Sequence, residues 1–318
     1  MIRFEQVSKQ FPNGTFAVKS LDFEIKKGEF FVLIGPSGSG KTTTLKMINR
    51  LIELSKGWVW INGKKISDYD INELRWNIGY VLQQIALFPH MSIAENIAIV
   101  PELKNWSKEK IFTRVDDLLT MVGLDPKEYR NRKPSELSGG QQQRVGVIRA
   151  LAADPEIILM DEPFSALDPF SREKLQDDLL EIQRKLKKTI VFVTHDMQEA
   201  LKLGDRICLM KDGETVQIGT PHEFLNNPVN DFVREFVGSR KFSMSLNELI
   251  TPVPAGQGFL SDTITISLST PIDEVLGHLA SFEQISVEDN GKVIGMIFRK
   301  HALKVMSQYL REGGQIHE

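Results

Sequence analysis

The apolar positions of the chain fall into three kinds of run. Phe30 to Ile34 and Ile157 to Met160 are unbroken, and Thr189 to Thr194 is nearly so. Continuous apolar runs of this length predict strands covered on both faces, the pattern of a parallel sheet between helices. Ile2 to Val7 and Phe16 to Ile25 are β-rich stretches separated by turn residues, and they predict a second, β-rich subdomain. Ile111, Val115, Leu118, Leu119 and Val122 recur at helical spacing, with Ser107 placed as a cap. They predict a helical insert over about residues 88–150. The expected fold is therefore α/β, with a mostly parallel sheet, a β-rich subdomain and a helical insert.

The buried-strand runs end in chemistry. The first opens into Gly35-Pro36-Ser37-Gly38-Ser39-Gly40-Lys41-Thr42, followed by Thr43 and a predicted helix from Thr42 to Asn49. Strand, glycine-rich loop and helix together make a phosphate loop: backbone N–H groups and the positive helix end surround a phosphate. Lys41 then supplies a point charge to the β- and γ-phosphates, and the Thr42 hydroxyl a ligand to Mg²⁺. The second run ends in Asp161-Glu162. A strand buried on both faces has no structural use for acids at its end. Adjacent strand residues point to opposite faces, so Asp161 is expected to serve Mg²⁺ and Glu162 to orient the attacking water. The third run leads to His195, at the strand end where open α/β sheets bind ligands.

A phosphate loop alone fits kinases, GTPases, helicases and transport motors. Leu137-Ser138-Gly139-Gly140-Gln141-Gln142-Gln143-Arg144 narrows the choice. Ser138 and Gly140 have no catalytic chemistry of their own and suit a second phosphate-contacting surface. With both motifs, residues 1–236 resemble the ATP-binding cassette (ABC) family. That resemblance implies ATP and Mg²⁺ as cofactors and a site shared between two copies, with Ser138, Gly139, Gly140 and Gln141 of one facing the nucleotide of the other. It implies further that Gln83 reaches the metal or the water, with Gln84 a neighbouring alternative, and that His195 contacts the γ-phosphate. Phe11 would stack on adenine, and Asp168, in Ser165-Ala166-Leu167-Asp168, would belong to the loop that meets the partner; Asp168 and Pro169 also suit the start of a helix running to Leu186. The helical insert would carry the face that meets a transmembrane subunit.

Composition removes several alternatives. The formal net charge is −3 and the pI near 6.1, so no global basic field argues for nucleic acid. The lone Cys208 suits a reducing cytoplasm. Met1 to Gln6 lacks the apolar region of a secretory signal, and no apolar run approaches the ~20 residues of a membrane helix. The expected location is the cytoplasmic face of the membrane, held there by a permease.

Beyond residue 236 the nucleotide motifs stop. Residues 237–260 read as linker and start of the tail, with Thr251 to Gly258 rich in Pro and Gly. Residues 261–310 give strand, helix (Ile272 onward), strand (Gln284 to Glu288), an Asp289-Asn290-Gly291 turn, strand (Lys292 to Phe298) and helix (His301 to Leu310), and residues 311–318 a short tail. This order resembles one cystathionine-β-synthase-type (CBS) unit, a small α+β domain that normally works in pairs. Thr42 to Glu53, Pro101 to Trp106 and the CBS-like tail resemble ATPase subunits of bacterial glycine betaine, carnitine and choline importers. Such a subunit would work with permease subunits and an extracellular or periplasmic binding protein. An importer of another small solute, such as an amino acid or polyamine, and a soluble ABC ATPase remain as alternatives. A soluble ABC ATPase would carry tandem cassettes or long coiled coils, which this sequence lacks.

Overall fold

The computed structural model describes the chain except residues 85, 166, 168, 239–245, 252–263, 269, 271, 290–291 and 312–318. It forms two compact units, Met1–Ser239 and Arg240–Glu318.

In the first unit, β1 (Ile2–Gln10), β2 (Phe16–Ile25), β4 (Lys56–Ile61) and β5 (Lys64–Lys65) make an antiparallel sheet in the order β2-β1-β4-β5. A second sheet runs β10-β9-β3-β8-β7-β6, from β3 (Phe30–Ile34), β6 (Ile78–Val81), β7 (Ile157–Asp161), β8 (Thr189–Val193), β9 (Arg206–Lys211) and β10 (Glu214–Gly219). Strands β9, β3, β8, β7 and β6 pair in parallel, and only the edge strand β10 is antiparallel. Every residue of β3, β7 and β8 is buried, which is why these runs have no polar face to alternate. The two faces of the sheet feed different cores. Phe30, Phe192 and Phe164 pack toward the helices, with ring centroids 5.8 and 5.4 Å apart, whereas Phe31, Val191 and Leu159 pack toward the antiparallel sheet.

The insert is helical as expected: Ile93–Leu103, Lys108–Met121, Pro126–Tyr129 and Gly139–Leu151. Ser107 caps the second of these through the Lys110 N–H at 3.3 Å, and Val115, Leu118, Leu119 and Val122 are buried. No helix among the described residues is long and apolar enough to cross a membrane.

The second unit is a three-stranded sheet, β11 (Ile264–Ser267), β12 (Gln284–Asp289) and β13 (Lys292–Phe298), with helices Leu246–Leu249, Ile272–Ser281 and Arg299–Arg311. β11 and β12 are parallel, joined through the helix Ile272–Ser281, and β12 and β13 are an antiparallel pair in which Asp289 faces Lys292. The expected hairpin is therefore present in its strands, while its turn residues Asn290 and Gly291 lie outside the described residues, as do most of the expected linker residues. Of the expected linker residues that are described, Val237 and Gly238 end the helix Asp231–Gly238 of the first unit, and residues 246–251 belong to the second. Leu246 and Leu249 enter its core, and Thr251 exchanges backbone hydrogen bonds with Met296 at 2.8 and 3.0 Å.

Candidate functional site

Gly35 to Gly40 connect β3, paired in parallel with β9 and β8, to the helix Lys41–Ile48. Two glycines are demanded by space. A Cβ at Gly35 would stand 2.1 Å from the Met210 carbonyl oxygen, and one at Gly40, whose φ is +99°, 2.4 Å from that of Ala17. Gly40 caps the helix in a left-handed conformation with no side-chain hydrogen bond. The first-turn N–H groups of a helix have no intrahelical acceptor, so this N-terminus is an open ring of donors. Inside the loop the Ser39 hydroxyl is buried without a hydrogen-bond partner. Pro36, Ser37 and Gly38 are exposed at the rim. Lys41 is 6% exposed, and its ammonium donates to the Gly35 and Pro36 carbonyls at 2.9 Å each. Burial pulls its pKa below the usual lysine value, opposed by the nearby carboxylates Glu162 and Asp161. An orphaned hydroxyl, a ring of N–H groups and a dehydrated cation fit a phosphate group.

The neighbouring strand ends complete the edge. The Thr42 hydroxyl donates to Oδ1 of Asp161 at 2.7 Å, and the Tyr80 hydroxyl approaches Oδ2 at 3.5 Å. Burial, then the charge of Asp161 and its hydrogen bond, push the Tyr80 phenol far above its usual value. The His195 ring Nδ1 lies 3.2 Å from Oε2 of Glu162, and the Gln83 amide reaches the same oxygen at 3.5 Å. Of the two glutamines left open by the sequence, Gln83 is thus the one with a bond into the cluster. The pleat argument for Asp161 and Glu162 does not hold, because β7 ends at Asp161. What turns the two acids apart is the backbone of Glu162, which sits at φ +45°, a left-handed conformation that costs a non-glycine residue about 1–3 kcal/mol. Asp161 is left 3% exposed beside Thr42, and Glu162 half-buried between Gln83 and His195.

Ser138 begins the helix Gly139–Leu151 as the first half of a capping box. Its hydroxyl accepts the Gln141 N–H at 3.3 Å, and its own N–H donates to Oε1 of Gln141 at 2.9 Å. The Gln141 amide donates to the Tyr129 hydroxyl at 3.1 Å. These bonds hold the motif within the insert, with Ser138 and Gly139 exposed and Gly140 half-buried. Phe11, at 37% exposure, lies in the turn after β1 with the Lys9 ammonium 5.3 Å above its ring. Asp168 lies outside the described residues, while Pro169 starts the helix Pro169–Leu186. Sequence reasoning gave no role to Tyr80, although it stands on a strand leading to the same edge. A cavity of about 540 Å³ beside Trp58 and Lys65 shares no lining residue with this cluster.

Among the described residues no group of three His, Cys, Asp or Glu could hold a metal. Thr42, Asp161 and Gln83 instead offer hydroxyl, carboxylate and amide oxygens, a partial set that fits Mg²⁺ when substrate phosphates supply the remainder.

The ABC transporter family profile matches residues 18–165. The chain is 58% identical over 245 residues to the glycine betaine/carnitine/choline transport ATP-binding protein OpuCA of Bacillus subtilis, an alignment covering 77% of this chain and 64% of that protein. Against the osmoprotectant import ATP-binding protein OsmV of Salmonella typhimurium, identity is 48% over 309 residues, 95% of this chain and 80% of the relative. A solved dimeric ATP-binding cassette in a post-hydrolysis state, bound to ADP and Pi, superposes with a TM-score of 0.63 at 38% identity, covering 70% of this chain and 99% of that one. The phosphate loop, the paired acids and the capped Ser138 helix all lie within the matched region, and the chain belongs to the ATP-binding subunits of the ABC transporter family.

Proposed function

We propose that the chain is the ATP-hydrolysing subunit of a membrane importer for a quaternary-ammonium osmoprotectant of the glycine betaine, carnitine and choline class. The observation that carries the hydrolysis reading is the convergence of Lys41, Thr42, Asp161, Glu162, Gln83 and His195 at one sheet edge. Lys41 and the N–H groups of the loop hold the phosphates, and Phe11 stacks on the adenine. Thr42, Asp161 and Gln83 hold Mg²⁺, which neutralises phosphate charge when bound. Glu162 polarises the attacking water, with His195 and Gln83 fixing its carboxylate.

That edge lacks a second wall, and Ser138 to Gln141 present an exposed helix N-terminus of the right chemistry. Two copies therefore sandwich two ATP molecules, each completed by the partner subunit's Ser138, with Asp168 at the same contact. Moving a two-state equilibrium from 1:99 to 99:1 takes about 5.5 kcal/mol, so each of two shared sites contributes about half of that. ATP closes the dimer, hydrolysis reopens it, and the helical insert carries the motion to permease subunits at the cytoplasmic face. The solute reaches the permease from a binding protein on the other side and never touches this chain. The solute class rests on the names of the relatives.

Affinity purification from detergent-solubilised membranes should recover an integral membrane subunit, and uptake of labelled glycine betaine or choline should stop when the chain is deleted. Recovery of no membrane protein would favour a soluble ABC ATPase. Retained osmoprotectant uptake with loss of amino-acid or polyamine uptake would move the solute class.

A further inference from the structure

Thr194 follows β8 and is buried immediately before His195. Its hydroxyl oxygen accepts the Asp196 N–H at 2.9 Å, and its proton goes to Oε2 of Glu199 at 2.5 Å. These bonds bracket His195, so the turn that carries the imidazole is pinned from both sides. Glu199 is 7% exposed, in the helix Met197–Leu203. Burial pushes its carboxyl above the usual range against the pull of the Thr194 hydroxyl. Its other oxygen, Oε1, faces Nε of Arg172 at 3.9 Å, and that Nε is buried without a hydrogen-bond partner. Nη2 of the same guanidinium donates to the Leu167 carbonyl at 3.3 Å, one residue before Asp168. In the same turn Ser171 stands against the other motif: a Cβ on Gly140 would lie 3.4 Å from its Oγ.

We propose that Glu199 and Arg172 are a positioning relay that couples the turn carrying His195 to the loop around Leu167. The relay assigns neither side chain a contact with the nucleotide. The carboxylate is buried and faces the one buried nitrogen of a guanidinium whose side chain is otherwise one-third exposed, an arrangement that is costly unless the two compensate each other, and 3.9 Å is too long for an aligned hydrogen bond. The pair is thus held short of full engagement. A shift of the Leu167 loop on dimer closure draws Arg172 with its carbonyl partner, tightens the pair, and moves Glu199, Thr194 and the His195 turn as one connected set. The relay rests on the hydrolysis reading above, because it assigns the signal that tells His195 when the partner has arrived.

The test uses Glu199→Gln, which keeps shape and an oxygen for Thr194 but removes the charge, and Arg172→Lys, which keeps charge but loses the fork. Each should lower kcat by about ten- to hundredfold, the cost of a catalytic group displaced by about 1 Å, with KM for ATP within about twofold. In a His195→Ala background neither should lower kcat further. An unchanged kcat, or an equal loss in both backgrounds, would overturn the relay. A second readout does not need turnover: with ¹³C-labelled histidine, the His195 resonance, identified by its loss in His195→Ala, should shift in Glu199→Gln, and an unmoved resonance would overturn the relay as well. Wild-type hydrolysis in His195→Ala would instead contradict the hydrolysis reading, leaving the relay to be judged by the resonance.

Discussion

Two glycine-rich segments of this chain each start a helix, and they are built in opposite ways. At Gly40 the helix N-terminus is left open: the cap is a left-handed glycine, no side chain covers the first-turn N–H groups, and Lys41 is buried beside them. At Ser138 the N-terminus is closed by a reciprocal capping box and lies exposed, with no lysine in its first turn. Open donors and a dehydrated cation make a primary phosphate site, whereas the capping box covers two donors, the Ser138 and Gln141 N–H groups, and leaves the Gly139 and Gly140 N–H groups without an intrahelical acceptor beside the Ser138 hydroxyl proton. A cap oxygen can accept from Gln141 while its proton donates outward. The contrast supports the proposed division, in which the first segment binds nucleotide by itself and the second engages nucleotide held by the other copy.

The largest effect expected is at the junction of the two. Glu162→Gln should keep ATP affinity and lose hydrolysis by about 10²- to 10⁴-fold, so that an ATP-dependent dimer accumulates on size-exclusion chromatography. Turnover at the wild-type rate would remove Glu162 from its role. Next, Ser138→Arg places bulk and charge at the exposed helix start and should abolish closure while each subunit still binds ATP. The milder Ser138→Ala removes the capping oxygen and should cost about 1 kcal/mol of stability, read as a lower urea midpoint. Equal nucleotide affinity in Ser138→Arg and wild-type monomers, set against loss of affinity in Lys41→Ala, is the sharpest form of the comparison.

A smaller effect follows from Glu199. Its carboxyl pKa is raised in the folded state above the ordinary 4.5, so the native state binds that proton more tightly than the unfolded chain. Stability from this group is greatest at low pH and falls as pH rises from the ordinary value through the raised one, by no more than about 1.4 kcal/mol per pH unit. Glu199→Gln lacks that slope. Urea midpoints of the two proteins should therefore diverge in favour of the variant between acidic and neutral pH, and parallel curves would contradict the assignment. The smallest effect concerns the second unit, which supplies none of the site residues. Truncation after Gly238 should retain basal ATPase activity and change only how vesicle transport responds to internal salt, as expected if two CBS-like units pair across the dimer. Identical salt curves would reduce the unit to a structural appendage.

Most of the sheet edge could be read from the sequence, because strands buried on both faces leave unbroken apolar runs and their chemistry sits at the ends. Lys41, Thr42, Asp161, Glu162, Gln83 and His195 were found that way or through the resemblance that the motifs carry. Asp161 and Glu162 do meet different partners, but the cause is the backbone of Glu162 rather than the strand pleat, and a positive φ at a glutamate leaves no mark in the pattern of residues. Tyr80, Arg172 and Glu199 carry no motif. Their significance comes from strands and helices distant in sequence, as with Arg172 and Glu199 meeting across two helices. Leu246, Leu249 and Thr251 fall in the stretch read as linker and start of the tail, because a four-residue helix and a single bridged residue are too short to show periodicity.

The central claim is that each site is completed by the other copy, and mixing two inactive variants tests it most directly. Lys41→Ala disables the phosphate loop but keeps an intact Ser138, and Ser138→Arg does the reverse, so each homodimer has two broken sites. In a mixed dimer one site joins the intact loop of one subunit to the intact Ser138 of the other. The account predicts that the two folded, inactive proteins recover ATP hydrolysis on mixing, to about a quarter of the wild-type rate under random pairing of a two-fold dimer with independent sites. No recovery at any mixing ratio, or full activity in Ser138→Arg alone, would contradict it.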